Sequence, residues 1–145
     1  MDVPPGPHRP VVDCDSESWW QAVQERRLMV NACATCGRNS LYPRPFCPHC
    51  WSEQVDLVPA TGRGRVYTWS VIHQNAAPFD TRTPYVVAMV DLEEGPRVMT
   101  VLQDCPPERV HADMEVAVAF RDDDDGFTVP IFRPATESSS GKGPQ

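Results

Sequence analysis

Lysine is almost missing from this 145-residue chain: Lys142 stands alone among thirteen basic residues, the rest being arginine. Schiff-base and general-base lysine chemistry therefore has next to no candidate. Long apolar runs are missing too. The longest, Tyr85-Val-Val-Ala-Met-Val90, falls far short of the roughly 18 residues that cross a bilayer. No membrane association is expected. No charged segment followed by an apolar run opens the sequence, so no secretory signal is expected. There is no Gly-x-Ser-x-Gly turn and no cysteine in a nucleophile motif, and Gly62-Arg-Gly64 is too short to cradle a phosphate. His73 and His111 are the histidines of the second half, with no serine or cysteine nucleophile beside them. The paired carboxylates, Glu93-Glu94 and Asp122-Asp-Asp-Asp125, fall at turns, where water keeps both members ionised and unsuited to acid–base work. No catalytic residue is assigned, and the chain is not expected to be an enzyme on its own.

What is present points elsewhere. Sixteen prolines and eight glycines imply many turns and short elements. A net charge of −7 disfavours non-specific attraction to phosphate backbones. With 41% hydrophobic residues, the chain can bury one modest core or two small ones. Six cysteines without a secretory signal suggest a reducing, cytoplasmic setting. Cys14 and Cys105 read as unpaired thiols.

The other four stand in metal-binding spacing. Cys33-Ala-Thr-Cys36-Gly37 is followed by Cys47-Pro-His-Cys50 after ten intervening residues, fewer than the roughly 15–20 of the common template. Two Cys-x-x-Cys turns can bring four thiolates onto one tetrahedral ion, and zinc suits that geometry at one per chain. A site closed by four cysteines is structural, with no position left for water or substrate. Two disulfides or four free thiols are the alternatives. Gly37 suits the left-handed conformation such a turn often needs. Trp51 holds the matching place after Cys50. His49 could replace a cysteine as ligand, but four are already at hand.

Taken in order, residues 1–12, with four prolines, read as an extended arm. An N-terminal helical segment spans 13–30, with the helix itself capped at Asp15 or Ser16 and running to about Arg27. Glu17 in its first turn and Arg26 and Arg27 in its last would complement the helix dipole. Trp19 and Trp20 are adjacent, so they point about 100° apart and a narrow stripe cannot bury both equally. Either both pack internally, or one of them is an anchor for a partner. Residues 31–60 form a zinc ribbon, entered by a strand at 28–32 and left by another at 55–58. Residues 61–134 hold five strand patterns, at 65–72, 85–92, 97–102, 115–120 and 127–132, which suggest the five-stranded OB-fold. A loop at 73–84 and a turn at 122–126 connect them. Arg121 occupies the first ligand position of a calcium-loop pattern, so that aspartate run reads as a solvated turn. The polar tail 135–145 is expected to be disordered. The chain is thus mainly β: a helix, a rubredoxin-like ribbon, then a barrel.

Strand 65–72 places Arg65, Tyr67 and Trp69 on one face, with Arg63 nearby. That constellation can line a single-strand groove in an OB-fold, can be a face for another ligand, or can be core. The acidic balance and the missing lysines oppose nucleic acid.

Several separated motifs together resemble one family. They are the helix with Trp19-Trp20, the ribbon Cys33–Cys36-Gly37 with Tyr42-Pro-Arg-Pro45 and Cys47–Cys50, and Gly62-Arg-Gly-Arg-Val-Tyr-Thr-Trp69-Ser. Pro84-Tyr-Val-Val-Ala-Met-Val90, Glu94-Gly-Pro-Arg97 and Phe132-Arg-Pro134 complete the set. The chain looks like the acyl-CoA-associated zinc-ribbon/OB-fold family, domain of unknown function thirty-five, over roughly residues 13–135. Trp51 departs from the family's glycine. The resemblance implies a non-catalytic accessory subunit of a thiolase-like aldolase or thiolase, with a steroid side chain among the candidate substrates. It also implies a hetero-oligomer of two partners and two accessory chains (2:2), an OB domain that helps form the acyl-CoA site, and hot-dog-fold hydratases as further partners. A free-standing acyl-CoA binder and a single-stranded nucleic-acid module are the alternatives.

Overall fold

A computed structural model describes residues 10–74, 84–123 and 126–135. The arm to residue 9, most of the loop at 73–84, the centre of the turn at 122–126 and the tail from 136 lie outside the described residues.

Helix α1 spans Glu17–Gln24. Its approach is set by Asp13, whose carboxylate accepts from the backbone N–H groups of Asp15 (3.1 Å) and Ser16 (2.9 Å). Ser16 occupies the N-cap position without a side-chain cap bond. The helix stops at Gln24, short of the expected Arg27. Arg26 takes a left-handed φ of 62°, and the N–H groups of Arg26 and Arg27 return to the carbonyls of Val23 and Ala22. That pattern is a Schellman stop, which satisfies carbonyls the helix would otherwise leave open. The two arginines therefore lie beyond the last turn rather than in it. Arg26 reaches instead to the barrel, pairing with Asp122 and donating to the Phe120 carbonyl.

Three short strands follow as one antiparallel sheet in the order β2-β1-β3: β1 (Met29–Cys33), β2 (Asn39–Ser40) and β3 (Val55–Pro59). Five more close a barrel in the order β4-β5-β6-β8-β7. They are β4 (Arg63–Ile72), β5 (Tyr85–Leu92), β6 (Arg97–Leu102), β7 (Glu115–Asp122) and β8 (Thr128–Pro134). The β6–β8 contact is parallel, Leu102 opposite Phe132, and the others are antiparallel. This is the expected mainly β architecture with an OB-type barrel.

Alternation along β5 sends Val86, Ala88, Val90 and Leu92 inward, where they meet Val66, Val116 and Phe132. Val23 of α1 and Val30 of β1 join the same cluster, so helix, ribbon and barrel share one contiguous core. The junction is also tied by polar groups. Glu94, in the β5–β6 hairpin, accepts from the Thr61 backbone N–H at 2.7 Å, and its carbonyl accepts from Asn39 Nδ2 at 2.9 Å. The Gly62–Gly64 motif has a packing reason at Gly64. A Cβ there would come within 2.6 Å of the Asp91 carbonyl oxygen, so only glycine lets β4 approach β5 this closely.

Candidate functional site

The two knuckles are built alike. Gly37 N–H donates to the Cys33 carbonyl (3.0 Å), and Trp51 N–H donates to the Cys47 carbonyl (2.8 Å). Both residues are left-handed, Gly37 at φ 79° and Trp51 at φ 68°. Backbone N–H groups point at the sulfurs: Cys36 to Cys33 Sγ at 3.4 Å, and His49 to Cys47 Sγ at 3.3 Å. The four sulfurs of Cys33, Cys36, Cys47 and Cys50 lie within 4.8 Å of one another. The Cys33–Cys50 and Cys36–Cys47 pairs stand 3.6 Å apart. Four thiolates at about 2.3 Å from a tetrahedral ion would sit about 3.8 Å from each other, so the cluster fits a metal. At 3.6 Å these are not disulfides.

Their proton affinities fit the same reading. The Cys36 backbone N–H is the main cause that pulls the Cys33 thiol down to about 6. Cys47 is also lowered: burial opposes it, but the N–H groups of His49 and Cys50 outweigh burial. At Cys50 the Ser52 N–H pulls down, yet burial and the three neighbouring sulfurs together push the thiol up to about 12. Four thiolates this close repel one another, and a dication is what lets all four ionise. His49 is exposed and meets Arg38 at 3.4 Å, outside the sulfur cluster.

The aromatic pair divides. Trp19 is buried at 7% exposure and donates from Nε1 to the Met29 carbonyl at 2.9 Å, which fastens α1 to β1. Trp20 stays half-buried, edge-on to Trp19 and tilted against Phe127. It also walls a groove of about 920 Å³. Leu41 and Tyr42 of the ribbon form another wall, and Val87, Met99 and Val101 on the outer face of β5–β6 line it as well. Met99 is 65% exposed there. Sequence reasoning missed this groove, since its walls come from three separate elements. The one signal available was an apolar residue at every position of Val86–Val90, which leaves β5 apolar on both faces.

The barrel constellation is not gathered on one face. Val66 stands opposite Val90 and Thr68 opposite Met89, so Tyr67 is the extra residue of a β-bulge. A bulge shifts the alternation by one residue. Arg65 stays on the outer face opposite Asp91, whereas Trp69 comes opposite the buried Ala88. Arg65 is held by Glu115 at 3.3 Å and by the Asp113 carbonyl at 3.2 Å. Tyr67 lies under the Arg97 guanidinium, 3.5 Å from carbon to ring centroid. The Asp91 carboxylate, first by its hydrogen bond, raises the Arg97 proton affinity. Arg63 is exposed. His73 and His111 are exposed too, His111 Nδ1 lying 3.0 Å from the Ala112 carbonyl oxygen. Among the described residues no helix is long and apolar enough to cross a membrane.

A ribbon with four clustered cysteines, joined through one core to an OB barrel, defines the class: a zinc-ribbon/OB-fold domain whose sulfurs fit a metal. Residues 20–56 match the family model for the ChsH2 rubredoxin-like zinc ribbon domain, and residues 57–121 match that for the ChsH2 C-terminal OB-fold domain. The chain belongs to this ChsH2-type DUF35 family. It is 36% identical to a DUF35 domain-containing scaffold protein of Methanocaldococcus jannaschii, over 74% of this chain and 80% of that one. A probable enoyl-CoA hydratase alpha subunit of Thermomonospora curvata is 39% identical over 88% of this chain, which spans 40% of that relative's length. In the solved Ltp2-ChsH2(DUF35) aldolase, a chain 39% identical superposes with a TM-score of 0.79, covering 88% of this chain and all of that one. Another relative is named as the BbsA subunit of a benzoylsuccinyl-CoA thiolase in Thauera aromatica, 32% identical over 69% of this chain and 68% of its own. A 3-oxo-4,17-pregnadiene-20-carboxyl-CoA hydratase alpha subunit of Mycobacterium tuberculosis is 30% identical over 79% of this chain, which spans 36% of that relative's length. Relatives of this chain are thus named as scaffolds and as subunits of acyl-CoA hydratase, thiolase and aldolase complexes.

Proposed function

We propose that this chain is a non-catalytic accessory subunit that stabilises or activates a thiolase-fold enzyme cleaving a carbon–carbon bond in an acyl-CoA thioester. One observation carries the reading: the open groove walled by Trp20, Leu41 and Met99 leaves apolar surface uncovered, on a chain whose four clustered cysteines, all ligating one metal, would leave no position for substrate. Contiguous exposed apolar surface marks protein or ligand contact. Trp20 is the member of the aromatic pair placed to anchor that contact, and Trp19 is the member that holds the helix. The metal of the cluster is zinc, one per chain, with Cys33, Cys36, Cys47 and Cys50 as ligands. The chain is cytoplasmic and assembles as a hetero-oligomer, with two copies of each subunit the simplest symmetric form. The names of the aldolase and thiolase relatives support this class of partner, and the hydratase relative's name supports a hydratase as a further partner, for which a hot-dog fold is our reading. A steroid side chain is one candidate acyl group, supported by the pregnadiene-CoA relative.

A second reading rests on volume. The groove's roughly 920 Å³ lies within the range of small-molecule sites, about 300–1,000 Å³. A free-standing acyl-CoA binder would therefore hold its ligand without a partner. Single-stranded nucleic acid is disfavoured, because Arg65 and Arg97 are paired with carboxylates and the Arg97 guanidinium occupies one stacking face of the exposed Tyr67 ring.

The test is affinity purification of the tagged chain from its native cell, with mass spectrometry and metal quantification on one sample. A thiolase-fold enzyme at near one-to-one ratio, with one zinc per chain, is expected. Acyl-CoA cleavage by the isolated chain would overturn the non-catalytic reading. A lone chain that binds acyl-CoA would move the function to the second reading.

A further inference from the structure

The second knuckle carries a feature that the metal site does not explain. Trp51 follows the last cysteine at φ 68°, in the conformation that Gly37 supplies in the first knuckle. Glycine enters that region without strain, whereas a bulky side chain there is an outlier. The side chain remains largely in solvent, at 73% exposure. It stacks on Phe46, with ring centroids 5.1 Å apart and planes 12° from parallel. Tyr42, 62% exposed, lies at the start of the same segment and also walls the groove. Two arginines of the ribbon, Arg38 and Arg44, have no acidic partner among the described residues. Arg44 lies 6.0 Å from the Tyr42 ring, and Arg38 meets His49. From Leu28 to Ser52 the chain contains no aspartate or glutamate, although its net charge is −7.

Tryptophan, tyrosine and arginine are the residue types that dominate protein–protein hot spots, and they act best as pre-ordered anchors entering a desolvated pocket. The metal-held turn and the stack on Phe46 supply that order. We infer that the Phe46–Trp51 stack is a docking anchor for a partner protein, inserting into an apolar socket whose rim carries carboxylates facing Arg38 and Arg44. Resting on the accessory-subunit reading, this places the partner enzyme over the knuckle as well as the groove, with Tyr42 joining the two. A nucleic-acid strand fits less well. The mutual stack occupies one face of each ring, and the whole chain repels phosphate.

Trp51→Gly provides a clean test, because glycine suits the left-handed position and should leave the metal turn intact. The unmodified chain and W51G would each be titrated by calorimetry against the thiolase-fold enzyme that co-purifies with the unmodified chain, and against an oligo(dT) strand. Expected are unchanged metal content, an unfolding midpoint at or above that of the unmodified chain, and at least tenfold weaker affinity for the enzyme. The double variant R38E/R44E should weaken the same binding and lessen its salt dependence. Affinity of W51G within twofold of the unmodified chain would overturn the proposal while leaving the accessory role standing. Loss of oligo(dT) binding with enzyme affinity unchanged would also overturn it, in favour of a nucleic-acid surface. Failure of the unmodified chain to bind any thiolase-fold enzyme would overturn the accessory reading and this proposal together.

Discussion

The side chain of Gln24 bonds both main-chain groups of Thr128: its Nε2 donates to the Thr128 carbonyl at 3.0 Å, and its Oε1 accepts from the Thr128 N–H at 2.9 Å. An amide thereby extends the edge of β8 as a backbone would, and ties the last turn of α1 to the barrel across more than a hundred residues of chain. Gln24→Ala would leave two partly buried backbone groups without partners. Each contributes about 1 kcal/mol net, more if it stays dry. A loss of about 1–3 kcal/mol is expected by urea denaturation. Gln24→Glu keeps an acceptor for the Thr128 N–H but sets a carboxylate oxygen against the Thr128 carbonyl near Asp122, so at neutral pH it should lose at least as much as alanine does. Equal stability of all three forms would show that water replaces the amide freely.

Asp122 sits beside that contact. The Thr128 hydroxyl, first, and the Arg26 guanidinium hold its carboxyl below the usual 3.8 against an opposing effect of burial. Because the folded chain binds this proton less readily than the unfolded chain, the contribution is complete above about pH 4 and is lost as pH falls further. Asp122→Asn should therefore melt below the unmodified chain at pH 7, with the gap narrowing as pH falls below about 4. Melting profiles by circular dichroism between pH 3 and 7 would read this. A gap that widens on acidification would contradict the assignment.

Gly64 should resist replacement for a packing reason, whereas Gly62 adds a left-handed φ of 82° to a close approach by Val118. An added Cβ would stand 2.6 Å from both the Asp91 carbonyl oxygen and Val90 Cγ1, where the neighbours are backbone and packed core. Overpacking of this kind costs typically about 1–3 kcal/mol. Gly64→Ala is expected to lower the urea midpoint with an unchanged slope. An unaltered midpoint would mean that β4 and β5 separate at no cost.

Which parts were legible follows from range. Cys33, Cys36, Cys47 and Cys50 announce themselves because a metal turn is fixed by residues three apart, and the structure places all four sulfurs together. Strand β5 was legible because its unbroken apolar run needs no distant information. The bulge was not. Nothing local to Tyr67 marks it as the inserted residue, and that single insertion sends Trp69 to the opposite side of the sheet from Arg65. The stop of α1 was hidden for a related reason. Arg26 is a good helix former, yet it takes a left-handed φ and its side chain bonds Phe120 and Asp122 far along the chain. Tertiary contact overrode local preference there. Trp51 was visible as an oddity after Cys50, but its meaning required the exposure and the stack on Phe46.

Loading of the metal-free chain should release protons. With Cys50 pushed up to about 12, its thiol is protonated at pH 7 until a cation arrives. Zinc binding in a weakly buffered solution is therefore expected to acidify it, and affinity should fall as pH is lowered and protons compete for the sulfurs. Removal of the metal should act unevenly on the fold. The ribbon strands β1, β2 and β3 are short and lean on the cluster, whereas the barrel closes through its own ladders around Val66, Val90, Val116 and Phe132. Chelation should speed amide exchange across Met29–Pro59 well before it does so in β5 and β7, and Cys47→Ser should mimic it. Val30 and Leu41 belong to the shared core, so a modest loss of barrel stability should accompany the change. Uniform exchange in all strands on chelation would mean that the ribbon and barrel unfold as one unit.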